Sequence, residues 1–409
     1  MKNSLLIITL LSFSLCTPVF GQNDIAIGTM DSIDSKILGE NRKLMIHVPD
    51  DGPNSLFVKK KYPVVYVLDG DAHFTSVVGM LQRFSGNNIT PEMIVVAIPN
   101  TNRTRDLTPS KAKPNLPMVP EGLANASGGG KDFLSFLEKE LIPYIDKTYP
   151  TEPYRMLIGH SFGGLFVMDA LLNKPELFNS YISIDPSMWW NDKRLLNAYK
   201  KTNLNDDKYN HKSLYLGIAN TLEKGMDTVS VRQEKGQMAT HINSIFDTRN
   251  FLKSEKNSQI LLASKYYEND THNSAPLITT YDGMRFIFNF YQFNIDYSDL
   301  VNDNTAIIND MKIHYAKASK TLGYETKPDE AMLNQMGYRL LEMKKADFAG
   351  EFFKLNVVYY PKSFNVYDSL GDFYIASKNK YKAIESFEMA LAIKENPDSR
   401  KKLDELKSN

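Results

Sequence analysis

Cysteine is almost absent: the 409 residues hold one, Cys16. A chain that begins after Gly21 would have none. That excludes a disulfide framework, a thiolate metal site and a cysteine nucleophile, and leaves the core to hold the fold together. An excess of one charge is lacking too. Lys+Arg and Asp+Glu both number 48, for a formal net charge of zero. Without surplus basic charge to neutralise phosphates, nucleic acid is not an expected partner. Beyond the N-terminus no apolar run approaches the roughly 20 residues needed to span a bilayer, so no membrane span is expected. Tryptophan is scarce, and its two copies are adjacent, Trp189 and Trp190.

What is present suits a soluble chain of more than one domain. Lys2 precedes an apolar stretch over residues 5–15, and Val19 and Gly21 sit at the −3 and −1 positions before Gln22. This pattern predicts a signal peptide over residues 1–21 and a secreted, periplasmic protein after cleavage near Gly21. An uncleaved anchor and lipidation at Cys16 are the alternatives; against the second, Leu15 is bulky where a lipoprotein signal wants a small residue.

Residues 33–38 and 43–48 read as the two strands of an opening hairpin, with 39–41 as its turn. Residues 61–69 and 93–98 are apolar without alternation, as expected of strands buried on both faces of a mostly parallel sheet. Phe133, Phe136, Leu137 and Leu141 fall on one face of a helix within residues 130–149. Further strands are expected at 154–158, 181–184, 213–218 and 259–267, and helices at 162–172 and 238–252. Alternating strands and helices predict an α/β sheet covered on both faces. Residues 299–321 read as a helical connector. Beyond Pro328, Gly337 matches Gly371, Ala349 matches Ala383 and Phe353 matches Phe387, each 34 residues apart. That is the tetratricopeptide period, and it predicts an all-α, tetratricopeptide-like module over residues 331–409. The expected domains are thus 22–297, a connector at 298–330, and the repeats. Two such units are marginal alone and are expected to pack on the larger domain. They also offer a candidate surface for a protein partner.

The chemistry centres on Gly159-His-Ser-Phe-Gly163, a G-x-S-x-G between a strand and a helix. This is the context of an α/β-hydrolase nucleophile elbow, and it makes Ser161 the expected nucleophile. In that fold the order along the chain is serine, acid, histidine. Among His211, His241, His272 and His314, only His272 lies in a loop directly after a sheet strand, and it is the expected base. The acid is expected after strand 213–218, at Glu223 or, failing that, Asp227; a serine–histidine dyad stays open. One oxyanion-hole donor is the N–H of Phe162, the residue after the nucleophile. The other should come from the turn Asp69-Gly70-Asp71 and is assigned to Asp71. No cofactor is required for such chemistry.

Several segments resemble the putative-esterase, esterase D-like family: Leu68-Asp-Gly-Asp-Ala-His-Phe74, Asn102-Arg-Thr-Arg-Asp-Leu-Thr-Pro109, Ile158-Gly-His-Ser-Phe-Gly-Gly-Leu165 and Asp185-Pro-Ser-Met-Trp-Trp190. The second and fourth are most similar to its trilactone siderophore esterases. The resemblance covers most of residues 25–295 and implies a serine esterase acting on a small-molecule ester. In mycolyltransferase relatives the residue after the D-G pair supplies an oxyanion donor, which corresponds to Asp71. Two departures leave the acid open: Asn220-Thr-Leu intervenes before Glu223, and Asp270-Thr-His272 is one residue longer than the usual D-H. Trp189 and Trp190, just beyond a strand, are candidates to stack on an aromatic or acyl group, with core packing as the alternative. Arg103 and Arg105 are candidates to clamp an anionic or catecholate edge, with pairing to Asp106 as the alternative. An acyltransferase on the same serine, and an interaction module with a vestigial hydrolase, are the other functional readings.

Overall fold

The computed structural model describes residues 25–49, 60–114, 116 and 118–408; the signal-peptide reading lies outside them. Eight strands form one sheet in the order β1-β2-β4-β3-β5-β6-β7-β8. The expected hairpin is present as β1 (Thr29–Ser35) and β2 (Glu40–His47), paired antiparallel, with Gly39 in the turn at φ 68°. β2 also runs antiparallel to β4 (Ile94–Ile98). From β4 onward the sheet is parallel, through β3 (Tyr62–Leu68), β5 (Thr151–His160), β6 (Ser180–Ile184), β7 (Lys212–Ala219) and β8 (Ile260–Tyr267).

The unbroken apolar runs have a direct cause. Val64, Tyr66 and Leu68 of β3 pack into one core, while Val65 and Val67 pack into another on the opposite face. Helices Gly130–Phe136, Phe162–Asn173 and Trp190–Tyr199 cover the first face, and Gly70–Ser85 and Ala275–Ile287 the second. Neither face is left polar, so alternation disappears. Every residue of the helix Phe162–Asn173 up to Leu172 is buried.

The chain passes from β3 to β4 on one side and returns to β5 on the other. The carboxyl ends of β3 and β5 therefore flank a topological switch point, where open α/β sheets form their clefts. The turn at Asp69 and the serine at 161 sit at those two ends.

The connector is two helices, Tyr297–Val301 and Ala306–Leu322, where one was expected. It is keyed into the sheet domain: Leu322 is 1% exposed in the second core, and His314 Nε2 lies 2.9 Å from the Tyr291 carbonyl. Lys60 adds ion pairs to Glu92 (3.1 Å) and Asp329 (2.9 Å). Five helices follow: Glu330–Glu342, Ala346–Tyr359, Phe364–Ala376, Lys380–Ile393 and Pro397–Ser408. The 34-residue spacing recurs in space. Gly337 lies against the Phe353 ring, and Gly371 against Phe387 in the same way.

Candidate active site

β5 ends at His160, Ser161 turns the chain, and the helix starts at Phe162. Ser161 has φ 59° and ψ −113°, a strained conformation for a residue with a side chain. The surroundings hold it there. Its N–H donates to the Ile184 carbonyl (2.9 Å), and its own carbonyl accepts from the N–H groups of Leu165 (2.9 Å) and Ser187 (3.1 Å). A side chain at Gly159 would collide with the Gly163 backbone, so the close pass of strand and helix needs glycine. The Ser161 and Ser187 hydroxyl oxygens are 3.4 Å apart.

His272 lies on the loop after β8. Ser274 Oγ braces that loop by accepting from the Thr271 N–H (3.0 Å) and donating to Asp270 (3.0 Å). Asn220, just past β7, ties it further, donating through its backbone N–H to the Asp270 carbonyl (2.7 Å) and through its side chain to the Glu268 carbonyl (2.7 Å). The His272 ring is thereby set against His160, the neighbour of Ser161, with ring centroids 4.4 Å apart.

The carboxylate that meets His272 is not the expected one. His272 Nδ1 donates to Asp185 Oδ2 at 2.6 Å. Asp185 directly follows β6, one strand earlier than expected, in left-handed backbone at φ 41°. Its N–H is held by the Gly217 carbonyl (2.9 Å), and its Oδ1 accepts from the Ala219 N–H (3.0 Å). Glu223 is exposed on its loop. Asp227 is exposed too, and spends its carboxylate on the N–H groups of Val229 (2.9 Å) and Ser230 (2.7 Å). Burial alone would push the Asp185 carboxyl up, but hydrogen bonds from His241 and His272 outweigh it and hold it well below the usual range. It stays an acceptor, so His272 carries its proton on Nδ1 and turns Nε2 free.

The expected oxyanion donors both open helices. Phe162 is the first residue of Phe162–Asn173, and Asp71 the second of Gly70–Ser85. N–H groups in a first turn have no intrahelical acceptor and carry the positive end of the helix dipole. Asp69, before the second of these helices, is itself left-handed at φ 53°.

The expected substrate contacts are largely committed elsewhere. Arg103 binds both carboxylate oxygens of Asp69, at 2.6 and 2.9 Å, and the His160 carbonyl at 3.2 Å, with its guanidinium over the Phe162 ring. Arg105 is paired with Glu40 (2.6 Å) and Asp106 (2.7 Å), linking β2 to the helix Arg103–Leu107. Trp190 is 2% exposed and donates from Nε1 to the Ser110 carbonyl (2.9 Å), so it is a core residue. Trp189 is half-buried, 6.2 Å from the Phe162 ring, and of the four is the one left to offer a face to a substrate.

Sequence reasoning missed Asp185, His160 and His241. Asp185 had a signal: a carboxylate directly at the end of a sheet strand, in a segment already singled out for its tryptophans. The ligand-capable atoms of Asp185, His241 and His272 lie within 4.8 Å of one another. Both imidazoles, however, bond the same oxygen, a hydrogen-bonded fork rather than an open ligand set. No helix among the described residues is long and apolar enough to cross a membrane.

The family model described as Putative esterase matches residues 35–273, more than half of the chain. Ferri-bacillibactin esterase BesA of Bacillus subtilis (strain 168) is 37% identical over 153 residues, 34% of this chain and 52% of that protein. A siderophore enterobactin esterase of Emericella nidulans is 31% identical over 156 residues, 35% of this chain and 52% of that protein. The chain thus spans about half the length of these curated relatives. The solved structure of an IroE-like serine hydrolase from Shewanella oneidensis aligns at a TM-score of 0.68 with 28% identity, covering 81% of this chain and 99% of that one. With its parallel sheet, its elbow serine and this match across the whole site, the chain belongs to the Putative esterase family of α/β-hydrolases.

Proposed function

We propose that the protein is a secreted serine carboxylic-ester hydrolase, with Ser161 as nucleophile, His272 as base and Asp185 as acid. The observation that carries this reading is the 2.6 Å bond from His272 Nδ1 to Asp185, made beside a serine on a strained elbow. Such a pair orients the imidazole and stabilises its cation.

Ser161 Oγ attacks the ester carbonyl while His272 Nε2 takes its proton. The N–H groups of Phe162 and Asp71 receive the oxyanion. The tetrahedral species collapses as His272 returns the proton to the departing alkoxide, leaving an acyl-serine and free alcohol. Water, deprotonated by His272, then attacks the acyl-serine and releases the carboxylic acid and Ser161.

For the substrate we infer an ester with an aromatic or catecholate acyl group, of the siderophore type. Two related proteins carry names that specify siderophore esters, and Trp189 beside Phe162 gives a flat surface for a ring. The test is a panel of esters with wild type and Ser161→Ala. Burst release of p-nitrophenol from p-nitrophenyl acetate, lost in the variant, is expected, with higher kcat/KM for catecholate or feruloyl esters than for aliphatic ones. Hydrolysis retained in Ser161→Ala ends the serine assignment; faster turnover of every aliphatic ester ends the substrate assignment.

A further inference from the structure

A second histidine reaches the acid from the far side. His241, on the helix Gln237–Ser254, places Nε2 2.8 Å from Asp185 Oδ2, the same oxygen that His272 Nδ1 meets at 2.6 Å. The two rings stand nearly perpendicular, 84° apart, with centroids 5.5 Å distant. His241 is 5% exposed and Asp185 fully buried. We propose that His241 is a positioning residue for the reaction, a hydrogen-bond donor that locks the Asp185 carboxylate in the one orientation that serves His272. This rests on the reading of Asp185 as the acid.

The argument is one of donor and acceptor counting. A buried carboxylate must have its lone pairs met or bear a penalty. Oδ1 has the Ala219 N–H. With His272 alone on Oδ2, part of the carboxylate would stay unmet, and its orientation would rest on the Ala219 N–H and the partner it is meant to place. Asp185 leaves a strand end in left-handed backbone, so its side chain needs an outside brace. His241 supplies that brace from a rigid helix, whose Ala239, Ile242 and Ile245 are buried in the core beside β7. By drawing on Oδ2, it also moderates how strongly Asp185 holds the proton of His272.

Other groups flank this fork. His160 and, beyond it, His73 stand on the open side of His272, with the Asp69–Arg103 pair behind them. Further along the helix of His241, Asp247 is neutralised by Lys193 and Arg232. None of these donates to Oδ2, so removing His241 leaves that oxygen to His272 alone among the described residues.

The experiment measures kcat, KM and the pH profile of kcat/KM on p-nitrophenyl acetate for wild type, His241→Leu, His241→Gln and Asp185→Asn, with the folded fraction of each from circular dichroism. His241→Leu should lose about tenfold or more in kcat with KM little changed. Its acidic limb should move to higher pH, because an Asp185 whose Oδ2 is shared with no second histidine holds the imidazolium more firmly. His241→Gln restores a donor and should recover most of the rate and the limb. If the leucine variant does not fold, His241→Asn replaces it; its shorter amide falls short of Oδ2 and should lose rate in the same way. Wild-type kcat and an unmoved limb in the donor-less variant, or glutamine no better than leucine, overturn the proposal. Near-normal turnover in Asp185→Asn would instead overturn the assignment of the acid.

Discussion

Arg103 closes a bidentate pair on Asp69, Nε to Oδ1 at 2.6 Å and Nη2 to Oδ2 at 2.9 Å, while Nη2 also reaches the His160 carbonyl at 3.2 Å. One guanidinium thus binds the turn after β3 to the strand that ends at the nucleophile. Burial would raise the Asp69 carboxyl, but this pairing brings it below its ordinary value, so it remains an anion. Arg103→Ala should therefore release the turn that presents the Asp71 N–H and lower kcat on every ester, p-nitrophenyl acetate included, by at least about tenfold. Arg103→Lys should not restore it, since an ammonium cannot make the two parallel bonds. A loss confined to anionic or catecholate esters would return Arg103 to a substrate-clamping role.

Three carboxylate variants separate the candidates for the acid. Asp185→Asn should lower kcat by about 10³- to 10⁴-fold, because an amide facing His272 Nδ1 favours the wrong tautomer. Glu223→Gln and Asp227→Asn, on exposed side chains of the following loop, should stay within about twofold of wild type. Steady-state rates on one p-nitrophenyl ester decide the ranking, and its reversal would move the acid past β7.

His160 should make stability sensitive to mild acid. Its Nε2 is buried without a hydrogen-bond partner among the described residues. Burial, helped by His272 and His73, pushes its pKa down from 6.5 to about 4. The unfolded chain therefore takes up the proton first as pH falls. Stability is full above about pH 6.5 and declines toward pH 4, by on the order of 3 kcal/mol in total. Urea unfolding at pH 7 and pH 5 should show wild type losing about 2 kcal/mol more than His160→Asn over that interval. Equal losses would mean that His160 is protonated in the folded protein.

The adjacent tryptophans should behave differently. Trp190→Ala empties a core site and strands the Ser110 carbonyl, and should cost about 3–5 kcal/mol in chemical denaturation. Trp189 is half-buried against Phe162 and Trp190, so Trp189→Ala should cost clearly less stability than Trp190→Ala and raise KM for an aromatic-acyl ester more than for acetate. Equal destabilisation by the two would show that Trp189 is also a packing residue.

Glycines outside the site give a further contrast. A side chain at Gly371 would stand 2.6 Å from the Phe387 ring, whereas one at Gly79 would meet nothing within 4 Å. Gly371→Ala should destabilise the helical region by about 1–3 kcal/mol without changing kcat/KM. Gly79→Ala, inside the helix Gly70–Ser85, should stabilise by up to about 1 kcal/mol. Thermal unfolding with parallel ester assays checks both signs.

The features legible in the sequence were those written locally. Unbroken apolar runs marked β3 and β4, because strands covered on both faces have no polar side to alternate with. Gly159, Ser161 and Gly163 marked the elbow, because strand and helix pass so closely there that a side chain at Gly159 would collide with the Gly163 backbone. The 34-residue echo of Gly337 and Phe353 in Gly371 and Phe387 marked a helix contact repeated in space.

Which carboxylate meets His272 was a tertiary decision. Asp185 and Glu223 follow neighbouring parallel strands, and either chain position is compatible with the motif. Only the left-handed turn at Asp185, the path of the loop through Asn220 and the arrival of His241 from a helix 56 residues on aim one of them at the imidazole. For the same reason the sequence could not choose, for Arg103, Arg105 and Trp190, between substrate contact and the structural roles, pairing with Asp106 and core packing, that Arg105 and Trp190 take. Their partners, Asp69, Glu40 and Ser110, lie 34, 65 and 80 residues away, and local spacing carries no information about groups that meet only when the sheet closes over them.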